Sequence, residues 1–195
     1  MKKLFLNLFF TIFLFSNLKA GVLEENYLGN EDAKYILIEY ASLSCVHCAN
    51  FHNKQLPIIK KDLIDTGILK YVFKDFPLDK PAMIASMLSN CYSGVQYFEV
   101  LKTLFKNQKK WVVKSDNRED LEIILHSILK IHGVTFDDVR KCTVDNEKNK
   151  KKWNSILEVR LDGQKLGVNS TPSFFLNGKK LEGLVTSDYI KELIK

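Results

Sequence analysis

Residues 33–51 read AKYILIEYASLSCVHCANF, and this stretch limits the possible folds more than any other. The run 33–42 is short, apolar and rich in β-formers. Ile36, Leu37, Ile38 and Tyr40 leave no clean polar face, so it reads as a strand covered on both sides. Cys45 and Cys48 follow directly, with His47 between them and His52 one turn beyond. From Cys48 to about Asp65 the pattern turns helical, with Phe51, Gln55, Ile58, Ile59 and Leu63 near one face and a kink expected at Pro57. Thr66-Gly67 ends that helix, and ILKYVFKDFP (68–77) supplies a second strand. The fold must therefore place a two-cysteine turn between a buried strand and a helix.

Residues 81–164 read as helices almost throughout: PAMIASMLSNCYS, VQYFEVLKTLFKNQ, REDLEIILHSILKIHG, and one long segment from Phe136 to about Gly167. Leu121, Ile124, Leu125 and Ile128 form an apolar stripe, and Gly133 stands where a helix C-cap glycine belongs. The sequence then returns to β. STPSFFLNGKKLEG holds two short runs around Asn177-Gly178, a strong hairpin-turn signal, and SDYIKELIK reads as a capped amphipathic helix. The pattern predicts an α/β domain, residues 21–80 and 165–195, interrupted by an inserted helical domain at 81–164.

The chain opens MKKLFLNLFFTIFLFSNLKAG, a basic start, an apolar run of about 15 residues and small residues at Ala20 and Gly21. That is the layout of a signal peptide over residues 1–20. The run falls short of the roughly 20 residues of a comfortable membrane span. An uncleaved anchor is the alternative. No cysteine follows Ala20, so lipid attachment is not expected. Removing residues 1–20, with Lys2, Lys3 and Lys19, takes the formal charge from +6 to +3. That excess argues against a nucleic-acid binder, and EKNKKKW (147–153) reads as a solvated helix face. All four cysteines would lie in the exported part, where disulfides persist.

A sulfur at the first turn of a helix faces unpaired backbone N–H groups and the positive dipole end, so the Cys45 thiolate is favoured. His47 could add a donor or a charge. Cys48, one turn in, would be more buried and stay protonated. This asymmetry suits thiol–disulfide exchange, in which an acidic sulfur attacks and leaves while its neighbour resolves. Three rival readings exist. A c-type haem needs His directly after the second cysteine, where Ala49 stands. Zinc could use Cys45, Cys48 and His52, but no second ligand pair follows at knuckle spacing. A purely structural bridge over two residues would be strained.

ILIEYASLSCVHCANFH with GVNSTPSFFLNGKKLEG far downstream resembles the DsbA-type thiol:disulfide oxidoreductases of bacterial envelopes, which carry a thioredoxin fold split by a helical insertion. The resemblance spans the chain beyond residue 20. It implies that Cys45 is the nucleophile, Cys48 the resolving cysteine and His47 the dipeptide histidine. Thr171-Pro172 matches the pair that places a cis-proline beside the disulfide and leaves backbone free for a substrate strand. Glu39 matches a buried acid that passes protons to and from Cys48. Val46 and Thr171 depart from the residues of the best-studied oxidases, and both positions tune potential.

Cys91, at helical spacing from Met83 and Met87, is expected on an inward face. A structural disulfide to Cys142, closing a loop of 52 residues, is expected, with two buried free thiols as the alternative. His126 and His52 read as surface or packing residues and His132 as a helix-end cation. The expectation is an exported disulfide oxidase acting on newly exported cysteine-containing proteins in the periplasm, as a monomer, reoxidised by a DsbB-type membrane quinone reductase. No metal, cofactor or nucleic acid is expected. The alternatives are a reductase or isomerase of the same fold, and an exported zinc-binding or metallochaperone protein.

Overall fold

The structure is a computed structural model that describes residues 25–112 and 117–195. The expected signal peptide lies outside the described residues. Strands β1 (Tyr27–Leu28), β2 (Tyr35–Ala41), β3 (Leu69–Asp75), β4 (Ser173–Leu176) and β5 (Lys179–Leu181) form one sheet in the order β1-β3-β2-β4-β5. β2 and β3 are parallel, with Tyr35 opposite Leu69 and Ala41 opposite Asp75. β4 lies antiparallel on the other side of β2, with Phe174 opposite Glu39. Asn177 and Gly178 both adopt positive φ, 47° and 80°, as a tight β4–β5 hairpin requires. The Asn177 side chain accepts the Ile36 N–H at 2.7 Å, which ties the hairpin to β2. β1 was not foreseen, because two residues show no periodicity.

The crossover from β2 to β3 is a continuous helical stretch of α1 (Val46–Asn50), a π turn (Phe51–Gln55), α2 (Leu56–Ile59) and a second π turn (Lys60–Ile64). Each π turn widens the helix by one residue, so a stripe drawn at regular spacing drifts. Ile58, expected inside, is 49% exposed, whereas Leu56 and Ile64 are buried. Pro57 lies in the first turn of α2, beside the π turn, where the regular ladder is already interrupted.

Helices α3 (Lys80–Ser89), α4 (Gly94–Lys106), α5 (Gln108–Trp111), α6 (Arg118–Leu129), α7 (Phe136–Thr143) and α8 (Glu147–Lys165) lie between β3 and β4, and α9 (Ser187–Leu193) closes the chain. The long segment expected from Phe136 is two helices. Val144 turns extended, and the Asn146 side chain caps α8 by accepting the Asn149 N–H. Gly133 takes φ 75° after a short 3-10 turn at the end of α6.

Alternation along β2 sends its residues to two cores. Leu37 and Ala41 join a cluster that continues through Leu69, Tyr71 and Phe73 into Leu101, Leu104 and Leu125 of the helical block. Tyr40 points the other way, to Phe76, Val168 and Phe175. There α8 comes so close that a Cβ on Gly163 would lie 2.9 Å from the Tyr40 ring.

Cys91 and Cys142 are disulfide-bonded, with Cα atoms 6.1 Å apart. Cys142 is buried in α7, but Cys91 is exposed in the turn after α3. The helix stops at Ser89, before its spacing could carry Cys91 to the face of Met83 and Met87. The basic run 147–153 is not wholly solvated either. Lys152 turns inward, with Nζ 2.7 Å from Cys91 Sγ and 3.3 Å from the Met87 carbonyl oxygen. Burial pushes its ammonium down to about 8.

Candidate active site

β2 ends at Ala41, and the chain turns through Ser42-Leu43-Ser44, where the Cys45 N–H donates to the Ser42 carbonyl at 3.0 Å. Cys45 is the N-cap of α1, in extended geometry, and its sulfur accepts the Cys48 N–H at 3.3 Å. A cap normally offers a side-chain oxygen; here the free helix N–H groups meet sulfur. Across the site the Thr171–Pro172 peptide is cis, and the Cys45 thiol donates to the Thr171 carbonyl oxygen at 3.2 Å.

The two sulfurs differ as their surroundings require. Cys45 is pulled down to about 5, first by the Cys48 side chain as hydrogen-bond donor, against burial, with help from Thr171 and from the Cys48 and His47 backbone N–H groups. Cys48 is fully buried. Desolvation, Cys45 and the nearby Glu39 charge push its thiol far up. At neutral pH the pair is one thiolate and one thiol. Val46 is 60% exposed beside Cys45, and the His47 ring is also exposed, so His47 reaches the sulfur through its backbone.

Glu39 sits one residue from Tyr40 on β2 and faces the opposite core, with no exposure. It accepts a hydrogen bond from the Tyr71 hydroxyl and lies 3.0 Å from His52 Nε2. His52, read as packing or surface, is buried; so is Tyr71, which was not singled out. The clue in the sequence was spacing, since His52 stands at i+4 from Cys48 on the same helix.

Gln108 was also missed. It is buried in α5, and its Nε2 donates to the carbonyl oxygens of Leu43 and Cys45, both at 2.8 Å. The helical block thus grips the turn that carries Cys45. His132 Nε2 lies 2.7 Å from Thr103 Oγ1, and His126 packs edge-on to Phe136. Among the described residues, no three His, Cys, Asp or Glu side chains are arranged to hold a metal ion. His52, which a zinc site would need, is turned inward to Glu39.

A family model described as thioredoxin matches residues 22–195. The crystal structure of Wolbachia pipientis alpha-DsbA1 superposes with a TM-score of 0.74 at 33% identity, covering 88% of this chain and 89% of that one. The chain belongs to the DsbA-type thiol:disulfide oxidoreductase family of thioredoxin-fold proteins. A Rickettsia bellii relative named as a protein-disulfide oxidoreductase is 33% identical over 156 residues, which are 80% of this chain and 58% of that one. Disulfide bond formation protein D of Bacillus subtilis is 25% identical over 86% of this chain and 74% of its own. This DsbA-type chain spans 52–60% of the length of the Rickettsia relatives.

Proposed function

We propose that the chain is an exported thiol:disulfide oxidoreductase that introduces disulfides into newly exported proteins. The carrying observation is the asymmetry of the pair: Cys45 caps a helix with its sulfur and is held near 5, while Cys48 is buried and protonated. A substrate thiolate attacks the Cys45 sulfur of the oxidised pair, and the Cys45–Cys48 bond breaks with its electron pair on Cys48, which takes up a proton. A second substrate thiol then displaces Cys45, which leaves readily because its thiolate is stabilised. Exposed Val46 beside the sulfur and the Thr171-Pro172 edge offer an apolar, sequence-tolerant surface for an extended peptide. A membrane quinone reductase of the DsbB type would restore the disulfide. The leader-like first 20 residues support a periplasmic site of action.

The relatives named for disulfide formation and protein-disulfide oxidoreduction support this direction. Equilibration of the Cys45–Cys48 pair against a glutathione series tests it. A potential well above that of the glutathione couple supports the oxidase; one well below it makes the chain a reductase.

A further inference from the structure

Behind the cysteine pair lies a buried polar cluster built on Glu39, into which Tyr71 and His52 bring side chains that the family resemblance did not point to. Glu39 is held by Tyr71 and by His52 Nε2 at 3.0 Å, with Tyr71 Oη 3.4 Å from the same nitrogen. The other Glu39 oxygen, Oε1, has no hydrogen-bond partner among the described residues. His52 is fixed by stacking on Phe105, with ring centroids 3.9 Å apart and 24° between planes.

His52 also has a second environment. It lines a cleft of about 810 Å³ between the 46–64 helical stretch and α4, walled by Asn53, Leu56, Phe98 and Leu101. None of Cys45, Val46, Thr171 or Pro172 borders it. The imidazole therefore joins the buried carboxylate on one side to a large cleft on the other, away from the residues a substrate would meet.

We propose that His52 is a positioning residue that, through Glu39, supplies and removes the Cys48 proton in each redox turn, exchanging it with solvent by way of this cleft. The inference rests on the redox reading of the cysteine pair. When a substrate thiolate forms a bond to Cys45 Sγ, the Cys45–Cys48 bond breaks and its electron pair stays on Cys48. The new thiolate takes a proton from the Glu39 carboxyl, which is resupplied by the His52 imidazolium. In reoxidation by a disulfide-bearing oxidant, Cys45 first forms a mixed disulfide. Cys48 Sγ then attacks Cys45 Sγ and the oxidant's thiolate leaves, while the Cys48 proton passes to Glu39 and on to His52.

A histidine suits this task because its two ring nitrogens can each give or take a proton. The groups that face it are Glu39 from β2 and Tyr71 from β3, with Lys60 and Asp65 farther along its own helical stretch. From α4, Glu99, Lys102 and Lys106 line the same cleft.

Two variants test the assignment: His52→Phe, which preserves an aromatic stack on Phe105, and His52→Ala, which opens a space continuous with the cleft. Reduced protein is mixed with a disulfide peptide, and decay of the Cys45 mixed disulfide is followed by acid quench across pH 5 to 8. Iodoacetamide alkylation of Cys45 reports the nucleophile separately. The expected result is a mixed disulfide about tenfold or more longer-lived at neutral pH in both variants, a loss in the range of general acid–base effects. Added imidazole is expected to restore His52→Ala in proportion to its neutral form. Decay in His52→Phe at the wild-type rate overturns the proposal, and so does a slow His52→Ala that imidazole fails to accelerate. A wild-type protein that forms no mixed disulfide would instead overturn the redox reading on which the proposal stands.

Discussion

The sulfur of Cys45 lies 3.2 Å from the carbonyl oxygen of Thr171, a residue 126 positions away. The Thr171 hydroxyl beside this contact is buried and lacks a hydrogen-bond partner among the described residues while Cys45 is a thiol. Ionisation of the sulfur gives that hydroxyl an acceptor. Thr171→Val keeps the backbone contact and removes the donor, so the Cys45 pKa should rise from about 5 toward its ordinary value. Ultraviolet thiolate absorbance against pH measures this, and an unmoved titration would remove Thr171 from the account. The less stabilised thiolate should also make the pair a weaker oxidant.

The same depression sets a pH window for stability. Cys45 titrates near 5 when folded, against 9.0 for an unperturbed thiol. Between these values the unfolded chain holds a proton that the folded chain has released, so the reduced form gains stability as pH rises and loses it as pH falls through about 5. Cys48 stays protonated throughout this window, and the oxidised form has neither thiol. The melting temperature of reduced relative to oxidised protein should therefore climb from about pH 5 to pH 8. A flat difference would contradict the low pKa.

Gln108 connects α5 to the cysteine turn by two hydrogen bonds of 2.8 Å. Gln108→Leu leaves the buried Leu43 carbonyl oxygen without this donor, at a cost of about 1–3 kcal/mol before relaxation, while the Cys45 carbonyl keeps the Ala49 N–H. Chemical denaturation should show a loss of about 1–3 kcal/mol. Cys45 alkylation should slow as well, because the sulfur loses its fixed approach to the α1 N–H groups.

Gly163 lies within α8, where alanine would ordinarily add about 1 kcal/mol of helix stability. Here the new methyl would lie 2.9 Å from the Tyr40 ring and 3.4 Å from Phe76. Overpacking of this kind typically costs about 1–3 kcal/mol, so Gly163→Ala should destabilise the protein. A higher melting temperature would show that Tyr40 can move aside.

Replacing both Cys91 and Cys142 with serine releases a cross-link spanning 51 positions. The chain-entropy argument gives a loss of about 4 kcal/mol at most, readable as a lower denaturation midpoint. Lys152 loses its sulfur contact at the same time. Lys152→Met in the intact protein should reproduce little of that loss if the cross-link, and not the amine, carries the stability.

The strand, the cysteine turn and the Asn177-Gly178 hairpin were legible because each is a local pattern: an apolar run, a motif at a helix start, a turn that needs positive φ. Cys45 and Cys48 could be named on the same basis, while Glu39, Thr171 and Pro172 were named through the family resemblance. His52, Tyr71 and Gln108 were hidden because packing between elements distant in sequence gives them their places. Tyr71 meets Glu39 across 32 positions, and Gln108 meets Cys45 across 63. Cys91 was misplaced for a simpler reason, a helix that ends at Ser89.

The clasp of Gln108 on the Leu43 and Cys45 carbonyls has a consequence for the life history of each molecule. Segments of a native protein open and close at different free energies, and α5 is one short segment among them. When it opens, the cysteine turn is released with it. A copy whose helical block has not yet settled therefore presents a loosened, less acidic sulfur, and the reactivity of the cysteine pair matures only as the molecule finishes folding itself.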